Sequence, residues 1–456
     1  MQLKQPSSWQ ARRRAPHQAS RQRSRSLART LLALAIGSSG ILHATAAADG
    51  GAAMGSPAGL PSVVLSLAEA RARALSLSPE LQAAGSAAEA AAGAMRQARA
   101  WSNPEIEFEA EDFGADLPGW DESELTWSLA QRLELFGTRG ARARAARYDR
   151  DAALREAEAL RLDLIAEVDR RFAHALAAQA RVQAFEESEQ IATQLVDAVT
   201  ALVDAGEVPP IEADRAQAER TGVMVELRKA RLDMANTLRA LSELWGARQL
   251  DFDAVAGPLE ITPPLPDRDS LISAEPRVPE LRRREAEIAR ADAALRLATR
   301  GRWPELVVHG GVKRLRATDE MSYLGGIGLA LPLLDRSGGA IEEARARLSQ
   351  ARAEHAALAS RIDLARASAY DALAAALDIS RSLREVSLPR ARAIYDAVQE
   401  GYRRGRSSLL DLIDARRSLV KARLEYIDAL ESVWSARAEL ERLLGRHQIS
   451  PEGESR

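Results

Sequence analysis

The sequence predicts a mainly α-helical chain of two tandem units. Each unit runs helix, strand, strand, long helix, return helix, and the strands contribute to a transmembrane β-barrel. Three observations lead there. Landmarks recur at an offset of about 199 residues. Two Ala-, Leu-, Arg- and Glu-rich stretches near 67 residues long carry a helical apolar stripe. Four segments of about ten residues alternate apolar and polar side chains.

The duplication comes first, because it fixes the order of everything else. "WSNPEIEFEAEDF" (101–113) is answered by "RWPELVVHGGVKR" (302–314), and "LTWSLAQRLELFGTRGARARAA" (125–146) by "IGLALPLLDRSGGAIEEARARL" (327–348). Gly206 is answered by Gly405 and "ELWG" (243–246) by "RLLG" (442–445). The period is too long for a solenoid and marks two copies of one large unit.

At the start of the chain, residues 1–46 carry Lys4 and seven arginines with no acid, then "LLALAIGSSGILHA" and small residues. Basic region, short apolar core and A-x-A site are the signature of a secretory signal peptide; a disordered basic arm is the alternative. Cleavage near Ala46 takes eight of the 63 Lys+Arg, leaving 55 against 65 Asp+Glu, a formal net charge of −10. An exported acidic chain is a poor partner for nucleic acid. Cysteine is absent, which excludes disulfides, thiolate metal sites, cysteine nucleophiles and an acyl anchor on an N-terminal cysteine. No later run of about 18 apolar residues could form a spanning helix. A short extension (47–65) precedes the first repeat (66–256). A proline-rich linker (257–278) leads to the second repeat (279–446), and 447–456 is a flexible tail.

Within each repeat an Ala-rich helix (66–100; 279–301) is stopped by Pro104 or Pro304. Strands follow at 104–113 and 122–134, and at 304–315 and 321–332. The long helices, 138–204 and 337–403, would each span roughly 100 Å at 1.5 Å per residue. Leu164, Val168, Phe172 and Leu176, then Ile191, Leu195 and Val199, step by four into a coiled-coil-like seam. Return helices (209–246; 407–445) follow a glycine-centred break. Gly206 and Gly405 suit a left-handed turn, and Pro209 with Pro210 opens the first return helix.

The strands decide the environment. In "NPEIEFEAEDF", Glu105, Glu107, Glu109 and Glu111 fall on one face and Ile106, Phe108 and Ala110 on the other. Leu125, Trp127 and Leu129 repeat the pattern, as do Leu306, Val308 and Val312, and Tyr323, Ile327, Leu329 and Leu331. Strands of this length with one apolar face suit a membrane barrel. Trp101, Trp120, Trp303 and Tyr323 at their ends suit the lipid–water interface. Four strands cannot close a barrel, and an open edge in lipid leaves backbone groups unpaired at several kcal/mol each. Several chains must therefore share one barrel; three would give twelve strands. Two soluble hairpins packed on periplasmic helices are the alternative.

The duplicated order, "LALPLLDRSGGAIEEARARLSQA" (329–351), "GYRRGRSSLLDLIDARRSL" (401–419) and the terminal "LLG" resemble the TolC-type outer-membrane efflux proteins over about 60–446. "NPEIEFEAEDFG" and "LAQRLELFGTRGARARAA" look most like the outer-membrane components of cobalt–zinc–cadmium-type heavy-metal RND systems. The resemblance implies a homotrimer with a twelve-stranded barrel in the outer membrane of a Gram-negative bacterium. It also implies a helical tunnel through the periplasm, docked at its tips to a periplasmic adaptor that links to an inner-membrane RND pump. The duct would passively conduct divalent metal cations. Drug or other small-molecule cargo, and a periplasmic coiled-coil adaptor or scaffold, remain alternatives.

The same resemblance places two gate acids on Asp411 and Asp414 and the tip tyrosine on Tyr402. The adaptor-docking tips fall on Gly206, Pro209, Gly405, Arg406 and Ser407. A basic residue that often restrains the closed gate would fall on Ser407, but the arginine here is Arg406, one place earlier. Asp411 and Asp414 lie three apart on one helix face, so three chains would form two carboxylate rings. The alternative is a pair of first-turn acids complementing the helix dipole. Glu105, Glu107, Glu109 and Glu111 would line a wet lumen and attract cations, although any polar residues would satisfy a lumen face. The histidines lack metal-ligand spacing. No nucleophile elbow, H-E-x-x-H or phosphate-cradling glycine loop is present, so neither an enzyme nor a resident cofactor is expected.

Overall fold

The computed structural model describes residues 63–112, 119–263, 265, 267–269 and 278–445. The segments expected to be a signal peptide (1–46) and a tail (447–456) lie outside the described residues.

The chain opens on β1 (Val64–Ser66), whose last residue caps α1 (Leu67–Leu77). The Ser66 hydroxyl accepts from Glu69 N, and Glu69 Oε2 accepts from Ser66 N at 3.0 Å, a reciprocal capping box. The single helix expected over 66–100 is in fact two. Pro79 disfavours helical backbone at Ser78, which sits at φ −56°, ψ 122° and caps α2 (Pro79–Arg99). Then come β2 (Glu105–Glu111), a 3-10 turn (Trp120–Glu122) and β3 (Glu124–Leu133). The long helix α3 (Thr138–Asp204) has the expected limits, and α4 (Pro210–Glu243) returns. β4 (Ala254–Ala256) closes the first repeat by pairing in parallel with β1. That pairing draws residues assigned to the N-terminal extension into the fold.

The second repeat gives α5 (Pro279–Arg300), β5 (Glu305–Leu315) and β6 (Glu320–Ala330). Its long helix is not continuous, against expectation. α6 (Gly338–Ser382) passes through a π-helical turn (Leu383–Ser387) into α7 (Leu388–Arg403). Pro389 explains the turn. It has no N–H to give and its ring crowds the carbonyl four residues back, so the helix widens rather than breaks. α8 (Leu409–Leu444) returns and ends on Gly445 in the left-handed region, φ +61°.

α3 is the hub. Near the sheet it packs against α2 and α5, with Arg290 bonded to Asp149 at 2.8 Å and Arg283 to Glu156 at 2.5 Å. Its far half carries α4 and α8. The predicted seam is the core: Val168 and Phe172 are at most 1% exposed, and they meet Leu65, Leu241, Trp245, Phe252 and Val255 in one cluster beneath β1 and β4. Among the described residues no helix is long and apolar enough to cross a membrane.

The four longer strands form one antiparallel sheet in the order β2-β3-β5-β6. The two repeats are thus joined strand to strand, Glu124–Leu133 against Leu306–Leu315. Strands β2 and β6 are its edges.

Candidate functional site

Strand register sorts the side chains of the sheet into two faces. Phe108, Trp127, Val312 and Tyr323 lie in one cross-strand row, and Ile106, Leu129, Gly310 and Gly325 in the next. Gln131, Val308 and Ile327 make a third. This face is apolar and open: Ile106 is 77% exposed, Ile327 73% and Tyr323 85%. Phe108 and Trp127 touch with ring centroids 4.5 Å apart. The weak alternation of β5 in the sequence is resolved by its neighbours, which extend the apolar rows across it.

The opposite face carries the acids. Glu105, Glu107 and Glu109 are exposed, with no ion-pair partner among the described residues. Glu111, on the same face, is reached by Lys313 at 3.6 Å, which pairs more closely with Glu124. Arg132 and Glu305 bond at 3.2 Å. His309 shares a row with Glu105, and its ring lies where a β-carbon of Gly326 would stand, 2.6 Å from Nε2. Among the described residues no three imidazole or carboxylate groups are arranged to hold a metal ion.

At the other end of the bundle lie the two helix tips. Gly206 turns at φ +75° and Gly405 at φ +68°, conformations that favour glycine. Pro209 is the cap and Pro210 the first helical residue of α4. Arg406 N and Ser407 N both donate to Gly401 O, at 2.8 and 3.3 Å. Ser407 packs against Gly401 so closely that a β-carbon there would stand within 2.4 Å of Ser407 Oγ. Gly206, Pro209, Gly405 and Arg406 are exposed. Tyr402 instead turns inward, against Leu195, Val199 and Leu409, where α3, α4, α7 and α8 converge. Burial, with a small contribution from Glu212, pushes its hydroxyl above the usual tyrosine range.

Asp411 and Asp414 are both exposed on the first turns of α8. Asp411 also has a local role. Its carboxylate accepts from Ser408 Oγ at 2.7 Å and Ser408 N at 3.0 Å, while Asp411 N donates back to Ser408 Oγ. These bonds hold its carboxyl below the usual aspartate range. Asp411 therefore fixes where α8 begins, through a capping box with Ser408.

One cluster went unseen in the sequence. Arg416, buried on α8, donates to Ser188 O of α3 at 3.2 Å and to Glu219 of α4; Arg417 closes on the other Glu219 oxygen from the surface. Burial opposes ionisation of Glu219, but the bonds and charge of Arg417 and Arg416 outweigh it and hold the carboxyl low. The repeat gave no signal for it: at an offset of 199, Arg416 and Arg417 fall on the uncharged Gln217 and Ala218.

Comparison with known proteins shows what the whole chain resembles. The family described as outer membrane efflux protein matches residues 70–247 and 272–446. The cobalt-zinc-cadmium resistance protein CzcC of Cupriavidus metallidurans is 29% identical over 371 residues, covering 80% of this chain and 86% of that protein. The nickel-cobalt-cadmium resistance protein NccC of Alcaligenes xylosoxydans xylosoxydans is 30% identical, over 66% of this chain and 69% of its own length. Among solved structures, the CmeC outer membrane channel of Campylobacter jejuni superposes with TM-score 0.72 at 16% identity, covering 83% of this chain and 85% of that one. The MtrE outer membrane channel of Neisseria gonorrhoeae, in its open state, gives 0.72 at 18% identity, covering 83% and 89%.

Proposed function

The chain belongs to the outer membrane efflux protein family, and from that premise we propose that it is the trimeric exit duct of a tripartite RND system carrying divalent heavy-metal cations. One observation carries the architecture: a four-stranded sheet with an exposed apolar face and two open edges. Such a sheet is stable in lipid only if its edges are paired, and three copies supply a closed ring of twelve strands. The helices agree with ring assembly. Ile211, Val225 and Leu232, at heptad spacing, stand exposed on α4; Leu364, Ile379, Val386 and Ile394 stand exposed along α6, the π turn and α7. Between neighbouring copies those two stripes would cover each other. The barrel, trimer, adaptor and pump are parts of this reading, with tips Gly206, Pro209, Gly405, Arg406 and Ser407 as the docking surface.

The cargo follows from the metals named for the relatives and from the polar face of the sheet. Three copies of Glu105, Glu107 and Glu109 would place nine unpaired carboxylates on a lumen wall, a field that concentrates cations. Asp411 and Asp414 would act as acidic rings at the periplasmic entrance. Transport by such a duct needs no chemistry from the chain. The test is deletion of the gene in a strain lacking other metal exporters, followed by growth on zinc, cobalt, cadmium and nickel. Sensitivity to at least one, restored by the intact gene, is expected; unchanged tolerance to all four would sink the metal reading and leave the duct without a cargo.

A further inference from the structure

The four junctions where strands meet helices converge at one end of the sheet. Arg300, at the end of α5, donates to Phe136 O at 3.1 Å, and Trp303 stacks on Phe136 with centroids 5.1 Å apart. A β-carbon on Gly301 would stand 2.8 Å from Ser337 Oγ, so the start of α6 is equally close. Arg139 lies over the Trp101 ring at 4.0 Å. Between these segments is a crevice of about 260 Å³, walled by Leu133, Leu135, Phe136, Arg300, Trp303 and Leu331 among others.

Two properties of this collar are unexplained by the fold. Its apolar side chains face outward with nothing to cover them: Leu333 is 67% exposed, and Leu334 is wholly exposed. Its arginines lack acidic partners. Arg139, Arg300, Arg302 and Arg336 make no ion pair among the described residues; of the two carboxylates that line the crevice, Glu305 pairs with Arg132 and Glu134 with Arg142 through one oxygen, its other oxygen being buried. Asp335 is occupied by Ser337 N. Among the described residues Arg290 and Arg296 on α5 and Arg347 on α6 find carboxylates while Arg144 and Arg345 do not, so what distinguishes these four is their common level at the end of the sheet. The collar continues directly into the apolar face of the sheet.

We propose that this collar binds the anionic headgroups of glycerophospholipids in the leaflet facing the periplasm. Phosphate would lie against Arg300, Arg302 and Arg336, and acyl chains would run over Leu331 and the apolar rows. The charge is complementary, and the order of apolar wall, aromatic ring and cation is that of a membrane boundary. The proposal rests on the reading of the sheet as a membrane wall. It adds that the boundary is lipid-selective and fixes the depth at which the duct sits.

The test uses the full chain reconstituted in phosphatidylcholine vesicles doped with brominated phosphatidylglycerol or brominated phosphatidylcholine, read by quenching of tryptophan fluorescence. Tighter binding of the anionic lipid is expected. An arginine near an anionic surface is worth up to roughly fivefold in affinity, so Arg300→Gln/Arg302→Gln/Arg336→Gln should abolish the preference. The corresponding triple lysine variant should keep it, and Arg302→Gln/Arg336→Gln, whose side chains bond to nothing described, should reduce it without unfolding. No preference in the unaltered chain, or a preference unmoved by the glutamines, overturns the proposal. So does loss of the preference on adding inorganic phosphate, which would make free anion the ligand. Failure of the unaltered chain to insert as a heat-modifiable oligomer would instead overturn the membrane wall itself.

Discussion

Substituting Glu219→Ala tests whether the buried ion cluster holds the far half of the bundle together. Arg416 is 3% exposed as a side chain and Glu219 7%. Removing the carboxylate leaves the guanidinium with Ser188 O as its neutral acceptor, and its Nε already has none. An uncompensated buried charge costs about 3–5 kcal/mol. Arg417, two-thirds exposed, should contribute no more than about 1 kcal/mol when removed. Arg416→Ala should fall between, because Arg417 still neutralises Glu219 from the surface. Replacing both partners, Glu219→Leu with Arg416→Met, removes the charges together and should recover most of the loss. Amide hydrogen exchange over 185–192, 216–223 and 412–420 reads the local opening. At about 1.4 kcal/mol per decade, Glu219→Ala should speed exchange a hundredfold or more. If Glu219→Ala is no worse than Arg417→Ala, the cluster is not a buried charge system and the reasoning fails.

Other outcomes follow from the same structure. Asp411→Ala with Asp414→Ala should raise single-channel conductance in planar bilayers and weaken block by divalent cations; Ser408→Ala, which costs about 1 kcal/mol of helix cap but keeps both carboxylates, should leave block unchanged. Equal effects of the two would assign Asp411 to capping alone. Gly311→Ala should disrupt the sheet, since its β-carbon would stand 2.2 Å from Trp127 O and 3.0 Å from Ser128 Cα, an overpacking cost of about 1–3 kcal/mol; Gly310→Ala meets Leu324 O at an ordinary 3.8 Å and should be tolerated. Loss of heat-resistant oligomers in both variants, or in neither, would contradict this. His174 bonds Glu431 at 2.6 Å, and that bond, with Asp233 aiding and Arg181 opposing, raises its pKa above 6.5. A raised pKa stabilises fully below about 6.5 and is lost as pH rises through the higher folded value. Thermal stability should therefore drop slightly from pH 6 to pH 8.5, by under about 1 kcal/mol for this half-exposed pair, and His174→Gln should flatten the drop.

What the sequence revealed and what it hid divide along physical lines. The seam of Leu164, Val168, Phe172 and Leu176, the glycine turns and the two-faced strands were legible because each is a local period or a backbone necessity. Pro79 and Pro389 were in plain view, yet their outcomes differ, a cap at Ser78 and a π turn at Leu383–Ser387. Local propensity does not say which relief a helix will take. Lys313 between Glu111 and Glu124, and Arg416 against Glu219, depend on register and packing between distant segments, which no window of sequence contains. Asp411 shows the reverse limit: its spacing from Asp414 suggested a ring, while its bonds to Ser408 give it a second role that the ring reading did not contain.

The parallel pairing of β1 with β4 bears on how the chain is made. Leu65 and Val255 share a core with Phe172, although 190 residues of chain separate the two strands. A protein threaded from its N-terminus into the periplasm cannot complete that core until Val255 has emerged. Until then Phe172 and Trp245 lack part of their cover. Loop closure over so long a span is slow. The first repeat should therefore lag behind the local zipping of its own helices, and amide exchange around Phe172 should be faster in a truncation ending before Phe252 than in one ending after Ala256.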